Sequence, residues 1–263
     1  MLTIGCFILS YDNNSDLAPF INDSYDKVSK VLPTKIISES IDVFENRCVD
    51  LINSPSFKNR LVESLKKDNN EYILLLLDDY YVTDDLEKSL GEYSSYLRET
   101  KCDYLRVFKE HLKTRKLKRA HDSLYLIEKP EGYNINFHPS FWRRDTLLTL
   151  LQSIESDNIR DIEAHFCTYF LENNKKAYAI KKNYFPYVEL VVNGLFFRKP
   201  FKKYCLSKYS GSRKKCSIFF ELKFKLKHFI SLRFNRKHLS VLKKKVYKNK
   251  EFYTEWAISC LGF

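Results

Sequence analysis

Two adjacent carboxylates, Asp78-Asp79, follow a run of six strand-forming apolar residues, Tyr72 to Leu77. A continuous run of this kind reads as a strand covered on both faces, and a pair of carboxylates at its end is poorly served by solvent alone. In open α/β sheets ligands bind at the carboxyl ends of the strands, and one or two carboxylates there suit Mn2+ or Mg2+ bridging phosphate oxygens. A second strand end also carries polar groups: Ser10-Tyr11-Asp12 closes the apolar run that begins at Leu2. The plainer reading of Asp78-Asp79 is an acidic loop leading into a helix capped by Thr83, since carboxylates near a helix N-terminus are ordinary.

Other side chains could serve the same chemistry. Arg60 faces away from Leu61 on its helix and is either a diphosphate contact or a solvated cation. Trp142, close to Pro139, offers an indole face to the C–H surface of a sugar ring, or else a large apolar body to a core. His138 could exchange hydrogen bonds with sugar hydroxyls or serve structurally. On the helix that follows, Ile162 and Phe166 face inward and Glu163 lies about 100° round from Ile162, at the edge of the buried stripe. Asp161 and His165 are spaced to pair on that helix surface.

To bring such groups together the chain must alternate strands and helices. Leu2 to Ser10 reads as a strand ending in the turn-forming Tyr11-Asp12-Asn13-Asn14. Ser54-Pro55 reads as N-cap and first position of a helix with Phe57, Leu61, Val62 and Leu65 inward, stopped by Asn69-Asn70. Beyond the strand Tyr72 to Leu77, the helix capped by Thr83 turns Leu86, Leu90, Tyr93 and Leu97 inward. Strands over 103–108 and 124–128 flank a basic loop from Lys109 to Arg119. The segment Tyr133 to Trp142 leads to a helix with Asp145 as cap and Leu147, Leu148, Leu151 and Ile154 apolar, then to one that buries Ile162, Phe166, Tyr169 and Phe170.

The composition narrows the class. With 263 residues, 44% hydrophobic and 15% aromatic, the chain has ample material for a core, and disorder is excluded. No run approaches the ~20 apolar residues of a membrane span. The N-terminus lacks a basic leader segment, so no secretory signal is expected. Seven scattered cysteines without a CxxC pair argue against a disulfide framework and a zinc site, and point to reduced thiols in the cytosol. None of the six glycines is spaced as a phosphate-binding loop, so a bound nucleotide must be held by other means.

Charge is unevenly spread. From Arg198 to Lys250 there are 19 Lys and Arg against one acid, Glu221, so this stretch carries +18 and the rest of the chain −6. On a helical wheel Phe219, Leu222, Leu226, Phe229 and Ile230 fall within about 100°, flanked by Lys223, Lys225, Lys227 and Arg233. The alternation over Glu221 to Lys227 leaves a strand open. Such a segment suits an anionic membrane surface, the phosphates of a nucleic acid, or plain solvation.

The stretch from Arg60 to Leu65 and on through Tyr72-Ile73-Leu74-Leu75-Leu76-Leu77-Asp78-Asp79-Tyr80-Tyr81-Val82 resembles the helix, apolar strand and acidic turn of GT-A-fold glycosyltransferases from bacterial surface-polysaccharide (capsule and lipopolysaccharide) gene clusters. Asn136-Phe137-His138-Pro139-Ser140-Phe141-Trp142-Arg143-Arg144-Asp145, followed by Ile159-Arg160-Asp161-Ile162-Glu163, is similar to two further segments of that family, and Ser10-Tyr11-Asp12 to its first strand end. The resemblance covers Leu2 to Gly194 in order. His138 stands where many relatives have Gln, Arg160 where they have Trp, and Asp78-Asp79-Tyr80 where metal-dependent members have Asp-x-Asp.

The resemblance implies a GT-A-like, Rossmann-type mixed sheet flanked by helices over residues 1–197; the charge and composition of 198–263 mark a basic aromatic extension expected to dock on that domain and, since such an enzyme would act on a lipid-linked acceptor, on the inner face of the cell membrane. The resemblance implies transfer of a sugar from a nucleotide-diphosphate sugar to a hydroxyl of a growing glycan or lipid-linked acceptor. By the same analogy Ser10, Tyr11, Asp12, Arg60 and Asp78 meet the nucleotide diphosphate, and Asp79 meets the diphosphate or a Mn2+ or Mg2+ ion. Glu163 takes the acceptor proton with Asp161 as the nearest substitute, and His138 and Trp142 line the sugar pocket. The alternative is a non-catalytic nucleic-acid or anionic-polymer binding protein acting through its basic extension.

Overall fold

The two runs read as buried strands lie side by side. In the computed structural model, which describes residues 2–39, 44, 47–84, 86–108, 118–121, 123–128, 130, 134–205, 207 and 209–233, β1 (Ile4–Leu9) pairs in parallel with β4 (Tyr72–Leu77), Ile4 opposite Tyr72 through Leu9 opposite Leu77. Gly5 leaves room there for the Asn70 amide: a Cβ would come within 2.6 Å of its nitrogen, and that side chain would have to shift. Alternation sends Cys6, Ile8, Leu74 and Leu76 into one hydrophobic cluster and Phe7, Leu9, Ile73 and Leu75 into another on the opposite face. The continuous apolar pattern therefore reflects two buried faces.

Around this pair runs a nine-stranded mixed sheet in the order β3-β2-β1-β4-β9-β6-β10-β8-β7. Its members are β2 (Thr34–Ser38), β3 (Val49–Leu51), β6 (Tyr104–Arg106), β7 (Lys118–His121), β8 (Leu124–Leu126), β9 (Ser140–Arg143) and β10 (Ala177–Ile180). β1 to β4 of this order are parallel, while β9 runs antiparallel to β4 and β6, so its N-terminal end joins the carboxyl ends of its neighbours on one edge. Two antiparallel strand pairs sit beside the sheet: β5 (Tyr80–Val82) with the distant β11 (Tyr187–Glu189), and the hairpin β12 (Val191–Val192) with β13 (Leu195–Phe196). The latter turns on Asn193-Gly194, both with positive φ, as a two-residue hairpin needs.

Helices cover both faces. On one lies α1 (Ala18–Ser29), with Phe20, Ile21 and Val28 buried, beside α3 (Glu87–Thr100). On the other pack α2 (Phe57–Lys67), α4 (Arg144–Gln152) and α5 (Ile159–Glu172). The expected α/β class with a mixed sheet is what the structure has, and several boundaries move. The α2 cap is Ser56, whose hydroxyl accepts from the Asn59 N–H at 3.1 Å, rather than Ser54. Thr83 does not cap α3, because Tyr80–Val82 is drawn into pairing with β11 and the Thr83 N–H is bonded to the Pro186 carbonyl. Asp145 lies in the first turn of α4 and Arg143 precedes the helix. The stretch holding α1, β2 and β3 carried no regular reading in the sequence.

The extension begins as a continuation of the core. A short helical segment, α6 (Arg198–Pro200), and the tight turn Phe201–Cys205 put Phe201 and Cys205 into the same cluster as Phe196. Backbone bonds join Phe196 to Lys214 and Cys216. α7 (Ile218–Arg233) resolves the helix-or-strand alternative for this part of the basic segment as a helix. Phe229 and Ile230 lie within it, but their side chains, like the whole of residues 109–117 and 234–263, fall outside the described residues. Among the described residues no helix is long and apolar enough to cross a membrane.

The sugar-platform expectation for Trp142 is corrected. Its side chain is wholly buried in β9, edge-on to Tyr104 (4.6 Å), Phe166 (5.1 Å) and Phe170 (6.1 Å), with the indole N–H donated to Ser140 Oγ at 3.0 Å. Aromatic neighbours from β6 and α5 claim the indole for the core. Trp142→Ala should cost about 3–5 kcal/mol of stability by cavity formation, measured by urea unfolding; a cost below about 1 kcal/mol would place the side chain at a surface instead.

Candidate functional site

The carboxyl edge of the sheet gathers most of the polar residues singled out in the sequence. Asp78, at the end of β4, is buried; its Oδ2 accepts the Tyr11 backbone N–H at 2.9 Å, and both oxygens accept from Asn14 Nδ2 at 3.0 Å. The loop after β1 is thereby fastened to the end of β4. Burial pushes the Asp78 carboxyl up to about 6, although those hydrogen bonds and the charge of Arg213 work the other way.

Asp79 is half-buried, yet its Oδ1 is shut off from solvent and has no hydrogen-bond partner among the described residues. Burial, then the charges of Asp78 and Glu189, raise its carboxyl well above the usual carboxylate range. Glu189 is brought there by β-pairing, opposite Tyr80, and the Leu190 N–H is donated to the Asp79 carbonyl at 2.8 Å. A buried, unsatisfied carboxylate oxygen destabilises the free protein and favours a cation or a donor group from a ligand.

Glu163 reaches the same edge from α5. Its Oε1 accepts the Phe137 N–H at 3.0 Å, just before β9, and burial raises its carboxyl above the ordinary value. The Tyr80 phenol, itself shifted upward by burial, feels the charges of Asp79, Glu189 and Glu163 together. His138 lies over Phe108 at 4.7 Å and near Tyr80 at 5.3 Å, between the Glu163 and Asp79 sides of the edge. Ser10 is buried with its N–H on the Ile37 carbonyl at 2.9 Å, and Asp12 opens the helical turn Asp12–Leu17 half-buried. Ser10, Tyr11, Asp12, Asp78, Asp79, His138 and Glu163 are thus assembled at one edge.

Arg60 lies behind this edge and Asp161 away from it. Arg60 is not solvated: it is buried in α2 behind Tyr11, with Nη1 donating to the Ser54 carbonyl at 2.7 Å, an ion pair to Glu39 at 3.3 Å and its guanidinium 4.8 Å from the centre of the Tyr11 ring. It buttresses Tyr11, which also stacks on Phe57 at 5.9 Å. Asp161 is exposed at the start of α5, accepting from Ser156 Oγ at 3.0 Å, and two residues along a helix put it roughly 200° round from Glu163. It therefore faces away from the edge that Glu163 reaches.

Sequence reasoning missed Asn14, Asp16, Glu189 and Arg213. Arg213 grips Asp16 with a two-pronged contact, Nη2 to Oδ1 at 2.6 Å and Nε to Oδ2 at 2.9 Å, and donates through Nη2 to Asn14 Oδ1 at 2.8 Å. Tyr209 donates its O–H to Asp16 Oδ2 at 2.7 Å and accepts the Arg213 N–H at 2.7 Å. Burial opposes the charge of Asp16, but the bonds from Arg213 and Tyr209 outweigh it and hold that carboxyl below its usual range. The extension is therefore wired through Asn14 to Asp78. Asn13-Asn14 was legible as a polar loop; Arg213 had no signal separating it from 18 other cations in the tail.

No protein-family model matches the chain, and no curated protein sequence does. Its fold is shared with solved structures. S. aureus TarS, residues 1–349, superposes with a TM-score of 0.51 at 12% identity over 99% of this chain and 79% of that one. The same TarS fragment in complex with UDP gives 0.49 at 12%, and the chain spans 60% of its length. A UDP-glucose pyrophosphorylase complexed with UDP-glucose gives 0.47 at 11% identity over 68% of this chain and 90% of that one. The first likeness supports the GT-A-like architecture.

The electrostatics have a measurable consequence. A carboxyl raised in the folded state contributes stability that is fully present below its unfolded value of 3.8 and is lost as pH rises towards the folded value. Asp79→Asn removes the ionisation, so it should raise the thermal midpoint at pH 8 and leave it nearly unchanged at pH 4, as read by scanning fluorimetry. An equal shift at both pH values would contradict the buried-charge assignment.

Proposed function

We propose that the chain is a glycosyltransferase that moves a sugar from a nucleotide-diphosphate sugar to a hydroxyl of a growing surface glycan or lipid-linked acceptor. The observation that carries this reading is the Asp78-Asp79 pair at the carboxyl edge of a GT-A-like sheet, one carboxylate cradled by the β1 loop and the other with a buried oxygen left without a partner. Asp78 and the Ser10-Tyr11-Asp12 loop are assigned to the nucleotide. Asp79, with Glu189 nearby, is the residue that would hold a Mn2+ or Mg2+ ion, whose charge would offset that of the departing diphosphate.

Glu163 is assigned as general base. Held by the Phe137 N–H and raised by burial, it takes the acceptor hydroxyl proton as the new C–O bond forms and the bond to the diphosphate breaks, which inverts the anomeric centre. A base is most effective when its pKa lies near the working pH, and burial moves Glu163 in that direction. His138, stacked on Phe108 and beside Tyr80 at this edge, is assigned to contact with sugar hydroxyls.

A thermal-shift panel of UDP-, GDP-, CMP- and dTDP-sugars with and without Mn2+ tests the reading, since a ligand at 100 times its Kd adds about 2.7 kcal/mol to native stability. One member should stabilise the wild type and leave Asp79→Ala unmoved; a shift equal in both proteins places the donor elsewhere. With the donor so identified, Glu163→Gln should keep donor affinity and lower transfer roughly 100-fold or more. Unchanged turnover would remove Glu163 from the base role.

A further inference from the structure

Helix α7 is apolar on two sides. Phe220 and Phe224 stack at 6.4 Å, and Phe224 meets Phe197 edge-on at 5.5 Å beside Val192 and Cys216, which docks one side on the domain. At about 100° per residue, Ile218, Phe219, Leu222 and Leu226 share the other side within roughly 100°. They are 56%, 80%, 59% and 40% exposed and make up four of the six exposed large hydrophobics among the described residues. Single exposed apolar residues are ordinary, whereas a contiguous set on one helix face marks a contact surface.

A cationic groove adjoins this face. A cavity of about 760 Å³ is lined by Arg198, Lys199, Lys202, Lys203 and Lys215, with one carboxylate, Glu221. Ile218 lines the groove and also belongs to the exposed stripe. Lys215 lies 4.3 Å from the centre of the Phe201 ring, which forms part of the wall. The partner must therefore offer anions at the groove and an apolar phase beside them.

We propose that this surface docks on an anionic lipid bilayer, with head-group phosphates in the groove and Phe219 and Leu222 inserted at the acyl boundary. A nucleic acid supplies the anions but no apolar phase for Ile218, Leu222 and Leu226. A second copy, related by a two-fold axis, would bring one cationic groove near another. Docking stands independently of the glycosyl-transfer reading; if that reading holds, docking also locates the acceptor at the bilayer, on the extension that is tied through Arg213 to the Asp78 edge.

The test is flotation of the full chain, without nucleotide or acceptor, on vesicles of phosphatidylcholine alone and of phosphatidylcholine with phosphatidylglycerol. The full chain should float only with phosphatidylglycerol and detach as salt rises, and millimolar inorganic phosphate should not release it. Phe219→Ser with Leu222→Ser, and separately Lys199→Glu with Lys202→Glu, should each lower the bound fraction roughly tenfold; all four positions are exposed, and unchanged unfolding midpoints confirm the fold. The proposal is overturned if the full chain does not float, or if both double variants float like wild type, which would put attachment in residues 234–263. A concentration-dependent dimer lost in the Phe219→Ser and Leu222→Ser variant would assign the face to a second copy. Salt-sensitive retention on RNA without flotation would assign it to nucleic acid. Because no donor is present, failure here leaves the glycosyl-transfer reading intact, and failure of that reading leaves flotation unaffected.

Discussion

The burial of Asp78 at the end of β4 is the constraint on which the rest of the site depends. A carboxylate in that position is tolerated only if its oxygens are satisfied, and the β1 loop does so with the Tyr11 N–H and the Asn14 amide. Tyr11 is in turn held by Phe57 and by Arg60, and Asn14 by Arg213. One buried charge thus organises the first strand's loop, the second helix and the C-terminal extension around a single edge. Asp79, one residue on, has no comparable cradle: one of its oxygens is buried without a hydrogen-bond partner among the described residues.

Electrostatics at this edge run against stability. Asp78, Asp79 and Glu163 are all raised by burial, and Glu189 adds a further negative charge. Arg213 is a counterweight, its charge reaching both Asp78 and Asp79. Concentrations of like charge in partly dry surroundings are what sites that bind cations or perform proton transfer require, at a cost met elsewhere in the fold.

Much of this was legible in the sequence where local pattern and tertiary role coincide. The apolar runs Ile4–Leu9 and Tyr72–Leu77 read as strands buried on two faces, which they are, and their polar ends meet at one edge of the sheet. Glu163 came from a resemblance between segments, and its local pattern alone would have left it on a solvated helix. What escaped reading depends on long-range partners. Trp142 looks like a ligand contact by type, but Tyr104, Phe166 and Phe170 enclose it, and the burial of Arg60 beside Glu39 and Tyr11 had no local signal. The Thr83 cap failed because pairing of Tyr80–Val82 with β11, about a hundred residues away, outweighed the local helix signal. Asn193-Gly194 was a hairpin signal present in the sequence and passed over. In the extension the wheel grouped Phe219, Leu222 and Leu226 on one side of a helix, and α7 is a helix, but the side packed on the domain carries Phe220 and Phe224, because apolar residues on both sides leave the docked face unmarked.

The central claim is that the Asp78-Asp79 edge receives the donor. Carboxyl 13C NMR of aspartate-labelled protein, with the two resonances assigned from the corresponding Asp→Asn variants, tests it most directly. Adding Mg2+ with the stabilising nucleotide sugar should displace both resonances and lower the titration midpoint of Asp79, because a bound cation favours its charged form. If both carboxyls titrate as in the free protein while the nucleotide sugar is demonstrably bound, the donor lies elsewhere and the account is contradicted.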